Sequence, residues 1–342
     1  MNIVIRADAS TELAYGHVMR CLTLADKLKT KHANITFICR PAQGHLCDYI
    51  EEKGYVVLRL SSTDNNWQTD AKQTIEFLVA SDNVIDWLVV DHYHLDARWE
   101  MAMRPHVKKI MVIDDMANRK HDCDLLLDQN FYVDVESRYL NLVPQHSKQL
   151  LGRKYSLLRP EFSLARQNLR KRDGYIKRIF IFLSGSDPTN ETAKVLEGIR
   201  LLNYPDIAVD VVVGISNPYR EQIKELCASL PNTFYYCQVS NMAELMARAD
   251  LAIGAGGSTT WERCCLGLPS IVVILDKNQE ELTNDTAKTQ AIINLGWYDK
   301  VTPVDYKNAV ESLNKSKLVN MSCIATQLVD GKGVVRVTEA LL

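Results

Sequence analysis

His17 is the first residue whose type and position could do chemistry. It follows Gly16 and opens a run in which Val18, Cys21, Leu22, Leu24, Ala25 and Leu28 recur at helical spacing. That spacing predicts a helix over about 17–30. The partial positive charge at a helix start favours neutral imidazole over imidazolium, and a neutral histidine is what a general base needs near pH 7. The plainer reading is a ring packed against the strand-to-helix turn.

Three further loops follow predicted strands. Gly254-Ala-Gly-Gly-Ser-Thr-Thr-Trp-Glu262 has glycines that let a ligand approach the backbone, and helix-start amides that can hold a phosphate. Glu262 lies one turn into the next helix, where a carboxylate could bind ribose hydroxyls or simply stabilise that turn. Ser184-Gly-Ser-Asp-Pro-Thr-Asn190 offers hydroxyls and amides to an anion, while Asp187 or Thr189 could instead cap the following helix. Asp91-His-Tyr-His-Leu-Asp96 sets His92 and His94 two apart on an extended segment, so both could share a face. No third ligand stands at a fitting spacing, and two are too few for zinc. A substrate contact through Tyr93 is the better expectation, with His92 and His94 as polar surface. Asp114-Asp115 ends another strand and has no assigned role.

Two absences matter. The first strand leads into Asp8-Ala-Ser-Thr-Glu-Leu-Ala-Tyr-Gly16 with a single glycine, which lacks the G-x-G-x-x-G of a dinucleotide site. The P-loop pattern is missing too, so no cofactor is expected. The 342 residues include 40 basic and 42 acidic side chains, for a net charge of −2, and nothing in that balance calls for nucleic acid. The nine cysteines are scattered, with no C-x-x-C pair, which argues for reduced, buried thiols rather than zinc or a disulfide framework. No apolar stretch is long enough for a bilayer, and the N-terminus does not read as a signal peptide. A cytoplasmic location, no membrane contact and a monomer are expected.

These loops need strands to position them. Strands are predicted at 2–7, 34–39, 55–58, 86–91, 109–113 and 125–128, mostly separated by helix-length segments such as 44–53 and 66–80. Such alternation implies a parallel sheet covered on both faces. Leu151–Tyr175 breaks the rhythm. It reads as a connector, and its basic run (Arg166, Arg170, Lys171, Arg172) as a solvated face. The alternation restarts with strands at 178–183, 207–213, 233–237, 250–253 and 270–275, and helices at 190–202, 218–229, 242–249, 259–266, 279–295 and 306–313. Residues 326–342 look amphipathic, with Gly331 and Gly333 near the start. The expected organisation is two α/β domains with a cleft between them. They are an N-terminal Rossmann-like domain (1–155), a connector (156–175), a C-terminal Rossmann-like domain (176–325) and a final helix (326–342). Ligands of such sheets bind at the carboxyl ends of the strands.

A resemblance attaches to these residues. Ile5-Arg-Ala-Asp-Ala-Ser10 followed by Gly16-His-Val-Met-Arg-Cys-Leu-Thr-Leu-Ala25 resembles the opening of the UDP-2,4-diacetamido-2,4,6-trideoxy-β-L-altropyranose hydrolases of pseudaminic acid biosynthesis. The similarity continues in Asp91–Asp96 with Trp99-Glu100, Ile113–Asn118, Leu127–Asn130, Tyr155–Phe162, Ser184–Pro188, Gly254–Glu262 and Asn278-Gln279. The second-half glycine loop is also shared with GT-B glycosyltransferases that use UDP-N-acetylglucosamine. One departure is Leu13-Ala-Tyr15, where the family often carries small or glycine-rich residues. The resemblance implies a GT-B-like α/β fold, with the final helix crossing back onto the first domain. It makes His17 the catalytic residue, Glu262 the ribose ligand, and Tyr93 and Asn278 substrate contacts. The full expected substrate-binding set is Asp8, Gly16, Tyr93, Ser184, Gly185, Ser186, Gly256, Gly257, Ser258, Thr259, Glu262, Asn278 and Gln279, with no metal.

The implied reaction is inverting hydrolysis of a UDP-linked diacetamido-trideoxy sugar, with His17 drawing the proton from a water that attacks C1. The diphosphate leaves readily. Amides near Ser258 and the Ser184–Ser186 loop would take up its charge. Rival readings are a GT-B glycosyltransferase with a UDP-N-acetylhexosamine donor, a nucleotide-sugar 2-epimerase, and a UDP-sugar-binding sensor.

Overall fold

A computed structural model describes residues 1–8, 16–61, 66–81 and 83–342. Ala9, Ser10 and Leu13–Tyr15, which the sequence reading uses, lie outside the described residues. In chain order the first elements are β1 (Asn2–Ala7), α1 (Gly16–Lys29), β2 (Asn34–Cys39), α2 (Cys47–Glu52), β3 (Val56–Arg59), α3 (Trp67–Val79), β4 (Ile85–Asp91), α4 (Ala97–Met103), β5 (Val107–Ile113), β6 (Leu125–Asp128) and β7 (Lys148–Leu151). There follow α5 (Pro160–Gln167), β8 (Arg178–Phe182), α6 (Glu191–Leu202), β9 (Ala208–Val213), α7 (Arg220–Ser229), β10 (Thr233–Cys237), α8 (Met242–Arg248), β11 (Leu251–Ala255) and α9 (Thr259–Cys265). The chain ends with β12 (Ser270–Ile274), α10 (Glu280–Lys288), β13 (Ile292–Trp297), α11 (Pro303–Glu311), α12 (Lys315–Leu328) and α13 (Gly333–Leu341).

The chain forms two compact units. Unit 1 comprises Met1–Asn130, Asp134–Leu157 and Lys332–Leu342; unit 2 comprises Phe131–Val133 and Leu158–Gly331. Unit 1 carries a seven-stranded sheet in the order β3-β2-β1-β4-β5-β6-β7, and every pair is parallel. Side chains alternate across it, so each face has its own core. Ile3, Ile5, Val89, Met111 and Ile113 pack under α1 and α13, while Val4, Leu88, Val90, Ile110 and Val112 pack with Trp99 and Met103. Burial on both faces suits an all-parallel sheet. The last helix belongs to unit 1, where Val334, Val337 and Leu341 join the α1 face and the Trp87 indole donates to the Leu341 carbonyl at 2.9 Å.

Unit 2 repeats the plan with six parallel strands ordered β10-β9-β8-β11-β12-β13. In each sheet the first strand has the second on one side and the fourth on the other. The loops leaving β1 and β4, and those leaving β8 and β11, therefore flank a switch point, where ligand crevices form in such sheets. No helix among the described residues is long and apolar enough to cross a membrane.

Several expectations are corrected. The helix predicted over 279–295 ends at Lys288. Gln290 turns with a positive φ of 66°, and Ile292–Trp297 pairs with β12 as an edge strand. The connector over 151–175 contains α5. Residues 326–342 split at Gly331, whose φ of 76° ends the run between α12 and α13. Arg166 and Arg172 do not form a solvated face. Arg166 donates to the carbonyls of Cys265 and Thr326. Arg172 is buried and reaches the carbonyls of Ala249, Leu266 and Gly267 at 2.7–3.0 Å, with Met246 at 3.4 Å. Those acceptors are the carboxyl-terminal ends of α8 and α9, where a cation is favoured. Replacing Arg172 with Met should destabilise the fold by about 3 kcal/mol, seen as a lower urea midpoint; an unchanged midpoint would restore the solvated reading.

Candidate functional site

In unit 1 the register pairs Ala7 at the end of β1 with Asp91 at the end of β4. The His17 ring therefore meets a strand-end carboxylate at the switch point. Its Nδ1 lies 2.5 Å from Asp91 Oδ1. Arg20, one turn along the same face of α1, clamps Asp91 through Nε to Oδ2 and Nη2 to Oδ1, both at 2.6 Å, and reaches Asp115 at 2.9 Å. Arg20 Nη2 also stands 3.3 Å from His17 Nδ1. A guanidinium only donates and a carboxylate only accepts. The shorter contact therefore assigns the proton to Nδ1, donating to Asp91 and leaving the Nε2 lone pair available. No described residue hydrogen-bonds to Nε2. The Tyr93 ring meets the imidazole edge-on, with centroids 4.4 Å apart at 84°. Burial would raise the Asp91 pKa, but the Arg20 charge and the hydrogen bonds from Arg20 and His17 outweigh it and hold the carboxyl well below the usual range. Arg20 is a partner of the imidazole that sequence reasoning missed, and Asp91 and Asp115, noted there only as strand-end acids without a role, belong to the same ion-paired group. The signals were an arginine three residues after the histidine and an aspartate ending a strand.

Asp8, expected as a substrate ligand, is engaged inside the protein. It accepts from Arg6 at 2.5 and 2.8 Å and from the Arg40 amide at 2.6 Å, with His92 Nε2 at 3.2 Å. Arg6 continues to Asp70, which also accepts from the Trp99 indole. His92 is buried rather than surface polarity. Its Nδ1 accepts from the His94 amide and its Nε2 faces Asp8 after β1, so both nitrogens are committed inside the protein. Burial pushes its pKa down, against the pull of Asp8. Among the described residues no three His, Cys, Asp or Glu side chains converge as metal ligands. Asp114 receives the Ala117 amide and the Tyr139 hydroxyl. The same hydroxyl donates to Asp128, which burial and the Asp115 charge push up to about 7.

In unit 2 the glycine-rich loop leaves β11 beside the turn after β12. A Cβ at Gly254 would meet Arg263 Nη1 and the Phe182 carbonyl at 2.7 Å, and one at Gly256 would meet Thr283 Oγ1 at 2.0 Å. Packing alone therefore requires those two glycines. Gly257 is open, with only Gln279 Nε2 at 3.9 Å from its would-be Cβ. The amides of Gly257, Ser258 and Thr259 find no backbone acceptor among the described residues. Gln279 follows Asn278 in a short turn and its Oε1 accepts from the Leu275 amide at 3.0 Å. Glu262 does not cap its helix; its Oε1 lies 3.1 Å from Arg159 Nη2. The Ser184 loop is spent largely on its own helix. Ser184 Oγ accepts from the Asp187 amide at 2.7 Å, and the Asp187 carboxylate receives the Glu191 and Thr192 amides at 3.0 and 2.9 Å. An anion seat at the start of α6 is thus filled from within. Gly185 packs its carbonyl against Gly214, and Ser186 is half-buried. Unit 1 thus groups His17 with Tyr93, with exposed Gly16 beside them at the helix start and Asp8 in a separate network. Unit 2 groups Gly256 and Gly257 with Gln279.

Comparison with known proteins bears on the fold and on the resemblance. Residues 184–323 match the glycosyltransferase family 28 C-terminal domain. MurG of Acinetobacter baumannii superposes with a TM-score of 0.67 at 14% identity, covering 99% of this chain and 98% of that one. UDP-GlcNAc 2-epimerase of Neisseria meningitidis, solved with UDP-GlcNAc, gives 0.65 at 13% identity over 100% and 99%. The fold is GT-B-like. Among curated relatives, an uncharacterized protein of Methanocaldococcus jannaschii is 30% identical over 84% of this chain, which spans 58% of that protein's length. The spore coat polysaccharide biosynthesis protein SpsG of Bacillus subtilis is 27% identical over 100% of this chain and 98% of its own. The UDP-2,4-diacetamido-2,4,6-trideoxy-beta-L-altropyranose hydrolase of Campylobacter jejuni is 26% identical over 84% and 97%. The resemblance read from the sequence is thus met by a relative of that name.

Two outcomes follow from the unit 1 geometry. Nitrogen-15 NMR should report His17 as the Nδ1–H tautomer when neutral, and Asp91→Asn should shift its tautomer balance. Asp8 and Asp91 both sit below their ordinary pKa. The stability they supply is therefore complete above the usual aspartate range, about pH 4, and is lost as pH falls below it. Urea midpoints should drop between pH 5 and pH 3; a flat profile would contradict the assigned ion pairs.

Proposed function

We propose that this chain is an enzyme acting on a nucleotide sugar, and specifically an inverting hydrolase of a UDP-linked diacetamido-trideoxy sugar in a surface-glycan pathway of the pseudaminic acid type. The observation that carries the reading is the anchored imidazole of His17. Its Nδ1 is tied to Asp91, which Arg20 clamps in turn, and no described residue engages its Nε2. That arrangement is suited to general-base work. The hydrolase name carried by a relative 26% identical supports the same chemistry.

In this reading Nε2 takes a proton from water as the water oxygen attacks C1. The C1–oxygen bond breaks, UDP leaves with the electron pair, and the anomeric centre inverts. Asp91 stabilises the imidazolium that forms, and the Arg20 clamp keeps Asp91 ionised and oriented. Tyr93 packs the ring edge and lines the sugar side. In unit 2 the open amides of Gly257–Thr259 receive the diphosphate. Glu262, steadied by Arg159, takes the ribose hydroxyls, and Asn278 and Gln279 contact the substrate. One observation favours a second reading: the matched family domain is that of glycosyltransferases, which hand the sugar to an acceptor other than water.

His17→Asn should lower kcat by about 100- to 10,000-fold while UDP binding changes less than about twofold. Near-normal turnover would remove the base assignment. Hydrolysis in oxygen-18 water should label the sugar C1 hydroxyl; label in the phosphate would mean attack at phosphorus. UDP release from donor alone separates hydrolase from transferase. Glu262→Ala should raise KM for the UDP-sugar by about tenfold, and an unchanged KM would make it structural.

A further inference from the structure

Arg263 lies in α9 with its side chain fully enclosed, 1% exposed. Its Nη2 donates to the Ala255 carbonyl at 2.8 Å and to Thr260 Oγ1 at 3.0 Å, and its Nη1 to Thr259 Oγ1 at 3.1 Å. Its Nε finds no hydrogen-bond acceptor among the described residues. Among the described residues no carboxylate forms an ion pair with it, whereas the comparably buried Arg6, Arg20 and Arg40 each pair with at least one aspartate. Arg172 also lacks a carboxylate partner, but it is answered by the negative ends of two helices. Arg263 meets one carbonyl and two neutral hydroxyls. Burial lowers its pKa to about 10 against a weaker opposing pull from Cys264 and Glu262, neither of which hydrogen-bonds to it, so it stays charged at neutral pH.

An enclosed guanidinium without a counter-charge is costly. The fold nevertheless makes room for it, because any Cβ at Gly254 would strike Nη1. All its hydrogen bonds go to the segment Ala255–Thr260, the same segment whose amides at Gly257, Ser258 and Thr259 are open. We propose that Arg263 is a positioning residue whose unpaired charge, held beneath the Ala255–Thr260 loop, is the counter-charge for the diphosphate of a nucleotide bound on that loop. This rests on the reading of the loop as a nucleotide site. The bound diphosphate supplies the partner that the free protein withholds, and the loop needs no exposed lysine or arginine to hold it.

The test uses calorimetric titration of the full chain with uridine, UMP and UDP, for wild type, Arg263→Met and Arg263→Gln, each first checked for cooperative unfolding. A charge role makes the loss grow with ligand charge. Uridine affinity should stay within about twofold, and UDP affinity should fall by about tenfold or more, with UMP between. Arg263→Gln keeps donors for the Ala255 carbonyl without the charge and carries the same expectation if Arg263→Met does not fold. Equal weakening of all three ligands, or no weakening of UDP, would overturn the counter-charge and leave Arg263 a brace for the loop. A wild-type protein that binds none of the three would overturn the nucleotide reading and this inference with it.

Discussion

The carboxylate of Asp91 is the point on which unit 1 turns. It ends β4, next to β1, and is claimed at once by His17 and Arg20 from the first two turns of α1. An aspartate buried this deeply stays ionised only because a cation is bound to it. The same pair then fixes the imidazole: with both Asp91 oxygens engaged, Nδ1–H has one acceptor to aim at and no described residue hydrogen-bonds to Nε2. Arg20 passes on to Asp115, so the loop after β5 is tied into the same system. Neutralising Asp91 would strip the Arg20 guanidinium of its two-point clamp, leaving it Asp115, and would leave an imidazole without a defined tautomer.

Unit 2 uses buried charge differently. Arg172 joins the carboxyl-terminal ends of α8 and α9 by filling their orphan carbonyls, and so replaces solvent with a fixed donor fork. Arg263 occupies the space left by Gly254 and sets the carbonyl of Ala255. The glycine pattern that reads as a ligand loop is thus partly a packing pattern. Two of its three glycines answer to neighbours inside the protein, and Gly257 remains open.

Much of the architecture was legible because parallel strands buried on both faces leave unmistakable apolar runs. Ile3–Ile5, Leu88–Val90, Ile110–Ile113 and Ile271–Ile274 are all core. The weaker features were not. Residues 291–297 continue an amphipathic run, and only pairing with β12 makes them a strand. β7 and α4 are too short for periodicity to declare them. Arg166 and Arg172 belong to a charged run that reads as surface, and the carbonyls that bury them lie some 80–160 residues further on.

The sequence by itself determined the two-sheet α/β plan, the strand ends at which chemistry could sit, and the presence of His17 and Glu262 at helix starts. These follow from local periodicity and from residue type. Only the tertiary structure decided which charges meet. Asp91 lies 74 residues from His17 and Arg159 lies 103 from Glu262, and Asp187 turns inward to cap α6 while Arg263 is enclosed without an ion pair among the described residues. Ionic contacts are set by strand order and register, which bring distant loops to one edge. No spacing along the chain encodes them.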